Sequence, residues 1–233
     1  MNPQIIIGIG FIVGALVESI FGFGSTIIAY LIIGLFIDFK TAIWLGVLIA
    51  TLTSAFVFLT GIKNLSKKDL FYILLPAIPG LIIGSFLLDY VNSEILLKIF
   101  GILIISFTLY DFLKPKIPKF LERFLLLING FIHGFIGTGG PIPVTIMKNK
   151  MDKSALRTTF ALYFVILDVM RIVQYYLQNT FNFSETFQYW WLVIAILIVV
   201  ILGHKIHLNI STKLFKQGIS VILLIAGIYF IFK

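Results

Sequence analysis

Gly137-Thr138-Gly139-Gly140-Pro141 lies inside the apolar run Phe124 to Met147. Glycine in a helix interior costs roughly 1 kcal/mol against alanine. Proline fixes φ and removes a donor, and it is best tolerated at the first position of a new helix. The stretch therefore predicts helix, break, helix, with Pro141 opening the second piece. A second copy, Gly22-Phe23-Gly24-Ser25-Thr26, stands 115 residues earlier, also inside an apolar run. Two matched breaks imply a duplicated unit.

The surroundings set the solvent. Of 233 residues, 60% are hydrophobic and 12% charged, with mean hydropathy +1.08; a soluble domain carries about 25% charged residues. Apolar runs of roughly 20 residues recur along the chain, as membrane-spanning helices require. The expected fold class is an all-α polytopic membrane protein without a soluble domain. The net charge of +8 sits in short loops between apolar runs, so topology explains it better than nucleic acid does. With zero cysteines, disulfides, thiolate metal sites and thiol catalysis are excluded. Met1-Asn2-Pro3-Gln4 has no basic leader, so the first apolar segment is read as part of the mature chain.

Residues 5–37 form one block broken at 22–25. Spans follow at 42–60, 70–88 with kinks at Pro76 and Pro79, and 95–112. The basic, proline-rich connector 114–119 joins two repeats, residues 1–116 and 117–233. The second repeat has a broken block at 120–147 and spans at 154–177, 189–203 and 214–232. Lys40-Thr41-Ala42 matches Lys153-Ser154-Ala155, Gly84 matches Gly203, and Gly101 matches Gly218. Tyr175, Tyr176, Tyr189, Trp190 and Trp191 bracket a nearly uncharged loop, like an interfacial belt.

If each broken block returns to the side it came from, loops 61–69, 113–123, 148–157 and 204–216 share one side and carry 14 of the 18 Lys and Arg. Lys40, Lys98 and Lys233 then face the other side. If each block crosses once, the sides hold eight and nine. The positive-inside rule selects re-entry. Each half of a 28-residue block also spans only about 20 Å, short of the roughly 30 Å core. Three crossings per half make the repeats inverted, with both termini outside. Ile, Phe, Lys and Asn content points to an AT-rich prokaryotic genome, hence to a multi-pass protein of a prokaryotic cell membrane.

Matched Gly/Pro-interrupted segments mark substrate sites in inverted-repeat transporters. Irregular backbone at membrane depth is tolerated where it is buried in protein or lines a wet cavity. The second half-helices, starting at Ser25-Thr26 and Gly140-Pro141, would present N–H groups and a positive dipole end to an anion. Ser25, Thr26 and Thr138 add hydroxyls. Gly10, Gly14, Gly130 and Gly134 read instead as close helix packing.

The two glycine motifs, Gly22-Phe23-Gly24-Ser25 and Gly137-Thr138-Gly139-Gly140-Pro141, in halves of about 115 residues, resemble the repeated motif of the sulfite exporter TauE/SafE family. The resemblance covers essentially the whole chain. It implies transport of a sulfur-containing anion such as sulfite, an organosulfonate or a related small acid. It carries the motif onto residues 22–25 and 137–141, with Ser25 standing where a further glycine is common.

Four ionisable side chains sit in apolar surroundings, where charge is costly and functional. Glu18 and His133 each lie four residues before a motif. They would face each other across the two-fold axis, either as a proton relay or as a structural hydrogen bond. Asp168 and Arg171, spaced i,i+3, can pair on one face. Arg171 either offers a bidentate fork to an anion or is neutralised and snorkels outward. Gln174 is a polar neighbour, and Lys148 and Arg157 read as topology charges.

The substrate-binding set is thus Gly22, Phe23, Gly24, Ser25, Thr26, Gly137, Thr138, Gly139, Gly140, Pro141 and Arg171. Glu18, His133 and Asp168 are the coupling set. Expected partners are a small anion, the bilayer, a coupling H+ or Na+ and a second copy in a homodimer; no cofactor, metal or nucleic acid is expected. An intramembrane enzyme is disfavoured, because HExxH, a paired-Asp lipid-phosphate motif and a nucleophile–base set are all missing. A passive anion channel of the same architecture is the competing class.

Overall fold

A computed structural model of the chain describes residues 3–21, 24–113, 117–139, 141–178, 189–207 and 227–232. Among these residues every regular element is a helix. The chain runs α1 (Pro3–Phe21), α2 (Ser25–Ile33), α3 (Phe39–Gly61), α4 (Lys67–Leu88) and α5 (Ser93–Leu113). It continues as α6 (Lys119–Ile136), α7 (Pro141–Met147), α8 (Lys153–Gln178) and α9 (Trp191–His207), then a short helix α10 over 227–232. Of the expected features, Gly22, Phe23, Gly140, Gly218, Lys114 to Lys116 of the connector and most of the 214–232 span lie outside the described residues.

Short polar residues start the full helices. Asp38 accepts from Thr41 N at 3.1 Å, Ser66 from Asp69 N at 3.4 Å, Asn92 from Ile95 N at 2.9 Å and Asp152 from Ala155 N at 2.9 Å. Each satisfies a helix-end N–H that has no partner inside the helix. Pro76 and Pro79 sit within α4 without ending it.

The exterior is apolar and the interior carries charge, the reverse of a soluble domain. Leu75 is 63% exposed and Ile83 54%, whereas Asp168 is 1% and Arg171 0%. By length and composition, Gln4–Phe21, Phe39–Asn64 and Lys67–Leu88 can each cross a membrane. Both broken blocks appear as a long arm followed by a short one. α1 and α6 have 19 and 18 residues, α2 and α7 only 9 and 7. The expectation of equal 20 Å halves is corrected, because each break falls late in its block.

Within each block the arms lie antiparallel. A Cβ built at Gly10 would meet Ala29 O at 3.3 Å, and one at Gly14 would meet the Ser25 Cα at 3.3 Å. At the other hairpin, Lys150 Nζ after α7 binds Glu122 at the start of α6 (2.8 Å), and Tyr72 at the start of α4 donates to the same carboxylate. The α6–α7 hairpin therefore opens at the N-terminal end of α4. The α1–α2 hairpin leads into α3, whose Lys40 Nζ donates to Asp89 O at 3.1 Å just past the C-terminal end of α4. The two hairpins open at opposite ends of α4.

The long arms pack crosswise between the halves: α6 along α4 and α1 along α9, with α3 against α8. Glycines permit this. A Cβ at Gly84 would stand 2.8 Å from Phe135 N, one at Gly80 2.7 Å from Phe131 N, and one at Gly134 2.9 Å from Ser85 N. The packing role expected of Gly130 and Gly134 is thus met on α4. The matched Gly203 of α9 meets Ser19 of α1 in the same fashion. Gly84→Leu is expected to destabilise the protein by about 3 kcal/mol or more through overpacking against backbone that cannot give way. Ile83→Leu, next to it on the exposed face, is expected to change thermal stability in detergent by less than about 0.5 kcal/mol.

Candidate functional site

The two breaks come together on one cavity of about 20 Å³, room for about one water. Gly24, Ser25 and Thr26 line it from the first break, and Gly137, Thr138 and Gly139 from the second. Glu18, His133 and Asp168 line it too, with Ser54 and Ala50 from α3 and Phe164 from α8. Most of the site residues expected from sequence that lie within the described chain are therefore gathered around one cavity.

Backbone chemistry makes the breaks. Gly24 has φ +99° and Gly137 φ +83°, left-handed conformations that side chains resist. Gly137 N–H donates to His133 O at 2.7 Å, closing α6 with the left-handed cap typical of glycine. α7 starts at Pro141 and α2 at Ser25, where the motifs place them.

The ionisable side chains are partnered differently from the expectation. Glu18 Oε2 accepts from Ser25 N–H at 3.3 Å, and Oε1 accepts from Ser54 Oγ. The N-terminus of α2 is thus held by the protein's own carboxylate. His133 Nε2 pairs with Asp168 Oδ1 at 2.9 Å, while Nδ1 has no hydrogen-bond partner among the described residues. Glu18 and His133 line the same cavity, but the structural hydrogen bond between them is not formed: each reaches instead across to the next long helix, α3 or α8. The two bonds join positions that correspond in the expected repeats, since His133 follows Glu18 by 115 positions and Asp168 follows Ser54 by 114.

Asp168 Oδ1 also lies 3.9 Å from Arg171 Nη1, confirming the i,i+3 pair. Arg171 does not snorkel; it is fully buried behind Gly137 and donates through Nη2 to Tyr175 Oη at 2.5 Å. Its Nε and Nη1 have no hydrogen-bond partner among the described residues. A Cβ on Gly137 would stand 2.6 Å from Nη1 and 2.9 Å from Tyr30 Oη. Tyr175, expected in an aromatic belt, is buried against Arg171, whereas Tyr176 and Trp190 are exposed.

Other residues depart from expectation or were missed. Lys148 is exposed, as a topology charge should be. Arg157 is not: it is 2% exposed, with Nε donating to Ser19 O at 2.8 Å and Nη1 to Thr60 Oγ1 at 3.1 Å. Ser54, Asn129 and Tyr163 carry no motif and escaped the sequence reading. Asn129 Nδ2 donates to Tyr163 Oη at 3.0 Å, and a Cβ on Gly139 would come within 3.1 Å of that amide. A lone Asn four residues before His133, in an otherwise apolar run, was the available signal.

Among the described residues no cluster of His, Cys, Asp and Glu could hold a metal ion. The family model of the sulfite exporter TauE/SafE proteins matches residues 6–230. A probable membrane transporter protein of Methanocaldococcus jannaschii is 29% identical over 255 residues, covering 97% of this chain and 94% of that protein. No solved structure matches the chain.

Proposed function

Since the chain belongs to the sulfite exporter TauE/SafE family of membrane transporters, we propose that it carries a small sulfur-containing anion by alternating access around its two breaks, coupled to protons. Sulfite, an organosulfonate or a related small acid is the substrate class. The two halves work as inverted repeats in a prokaryotic cell membrane. Hairpins that open at opposite ends of α4, and the repeat-related Glu18–Ser54 and His133–Asp168 bonds, support that reading.

One observation carries the coupling. The Glu18 carboxylate lies on the first N–H of α2 and forms part of the cavity wall. That is where a helix terminus would otherwise receive an anion. Two negative charges do not share a small buried site without a proton or a cation between them. Protonating Glu18 removes the competing charge and leaves the N–H and hydroxyl groups to the substrate. Linkage is reciprocal, so anion binding must raise proton affinity at Glu18 as much as the proton raises anion affinity. His133 and Asp168, on the facing wall, accept the proton when the anion leaves.

The test uses purified protein and an organosulfonate whose own charge does not change with pH. Thermal stabilisation by this ligand is expected to grow as pH falls; at a hundredfold excess over Kd the gain is about 2.7 kcal/mol. Glu18→Gln is expected to retain binding and lose its pH dependence. Binding that strengthens with rising pH, or an unaltered pH dependence in Glu18→Gln, would refute the coupling. Saturable counterflow in proteoliposomes, against large unsaturable flux, separates the transporter from a passive anion channel.

A further inference from the structure

Helix α8 carries a stripe that the central site does not use up. Arg157, Ala161, Phe164, Asp168, Arg171 and Tyr175 recur at spacings of four and three, which places them on one helix face, and all six are buried. Phe164 and Asp168, in the middle of the stripe, line the cavity. A buried arginine stands on each side: Arg171 toward the C-terminal end of α8, and Arg157 toward the end where α3 finishes and the basic loops gather. Fourteen residues separate them, about 21 Å along the helix.

Both arginines keep donors in reserve. Arg157 has Nε on Ser19 O and Nη1 on Thr60 Oγ1, but Nη2 is buried with no partner among the described residues. An arginine placed only to cap the last carbonyls of α1 would be expected to leave no buried N–H unpaired. The two bonds it does make hold the guanidinium plane still, so the open edge is pre-organised for an oxyanion. Two ionisable groups on neighbouring helices interact electrostatically with it, Glu18 on α1 and His204 on α9. His204 Nδ1 is likewise buried without a hydrogen-bond partner among the described residues.

We propose that Arg157 and His204 form a second oxyanion site, on the basic-loop side of the central cavity, through which a sulfite- or sulfonate-class anion passes to or from the Glu18–Asp168 cavity. The site rests on the anion-transport reading above. Arg171 is its counterpart on the far side, so the anion meets a fixed cation before and after the cavity.

Proteoliposomes of known orientation test it, with radiolabelled sulfite presented at either face. Arg157→Gln is expected to raise KM at the basic-loop face by about tenfold or more, the loss expected for a charge-assisted bond, and to leave KM at the opposite face within about twofold. Arg157→Lys, which keeps the charge without the fork, is expected to fall between. If Arg157→Gln does not fold, His204→Ala on the half-buried neighbour is expected to raise the same one-sided KM several-fold. Equal losses at both faces with lowered thermal stability would reduce Arg157 to a cap of α1 and overturn the site. An unchanged KM at both faces in Arg157→Gln or His204→Ala would also overturn it. A wild-type protein that neither binds nor carries any sulfur anion overturns the anion reading itself, an outcome distinct from a working transporter with two-sided losses.

Discussion

Gly137→Ala is expected to cost about 3 kcal/mol of stability and to abolish transport, while Gly24→Ala costs about 1–2 kcal/mol. Both glycines hold positive φ, +83° and +99°, and forcing an L-residue there costs roughly 1–2 kcal/mol. The two sites differ in what the new methyl meets. At Gly24 the nearest atom is Val17 Cγ1 at 3.9 Å, an ordinary contact. At Gly137 the methyl would stand 2.6 Å from Arg171 Nη1 and 2.9 Å from Tyr30 Oη. Arg171 is fully buried and tied to Tyr175, so it cannot retreat without breaking a charge-assisted bond. Overpacking of this kind adds about 1–3 kcal/mol. Chemical unfolding of the two variants, measured side by side, isolates the Arg171 contact from backbone strain. Equal costs would mean that the guanidinium moves freely, and the close approach of break and arginine would then have no mechanical meaning.

The breaks were legible because glycine and proline act on the backbone locally, whatever packs around them. The helix starts after Asp38, Ser66 and Asp152 rest on equally local chemistry, a short polar side chain binding an N–H three residues on, but the apolar pattern alone begins those spans one to three residues late. Pairing was less legible. Sequence placed Glu18 and His133 at equivalent positions but could not choose their partners, because these lie 36 and 35 positions away on other helices. Nothing in an apolar run singles out Ser54 as the donor to Glu18, since a lone Ser in such a helix usually bonds its own backbone, as Ser85 does to Leu81 O. Arg157 was misplaced for a related reason. It stands four residues after Lys153 at a helix start, where the charge pattern says solvent. Only the packing of α8 on α3 turns it inward, onto the last carbonyls of α1.

Asp168→Asn is expected to destabilise the protein by about 3–5 kcal/mol, the cost of leaving a buried charge without its partner, and to abolish transport. Asp168 Oδ1 serves two groups, His133 Nε2 at 2.9 Å and Arg171 Nη1 at 3.9 Å, with all three side chains nearly inaccessible. Removing its charge strands Arg171 in an apolar interior without its counter-ion, with Tyr175 Oη its hydrogen-bond partner among the described residues. Arg171→Met alone should be similarly costly, since Asp168 then keeps only His133. The double variant Asp168→Asn with Arg171→Met removes both charges, and replacing a buried ion pair by apolar groups of similar volume is often neutral or stabilising. Most of the lost stability should therefore return, giving a coupling energy of several kcal/mol across the cycle. Transport should not return. The cavity would have lost the carboxylate proposed to trade a proton with His133, and the cation that balances it one turn further on. Stability regained without transport assigns the pair to coupling; transport regained with stability would make it a strut between the wall of the cavity and the second break, and would leave Glu18 and His133 as the remaining candidates for proton coupling.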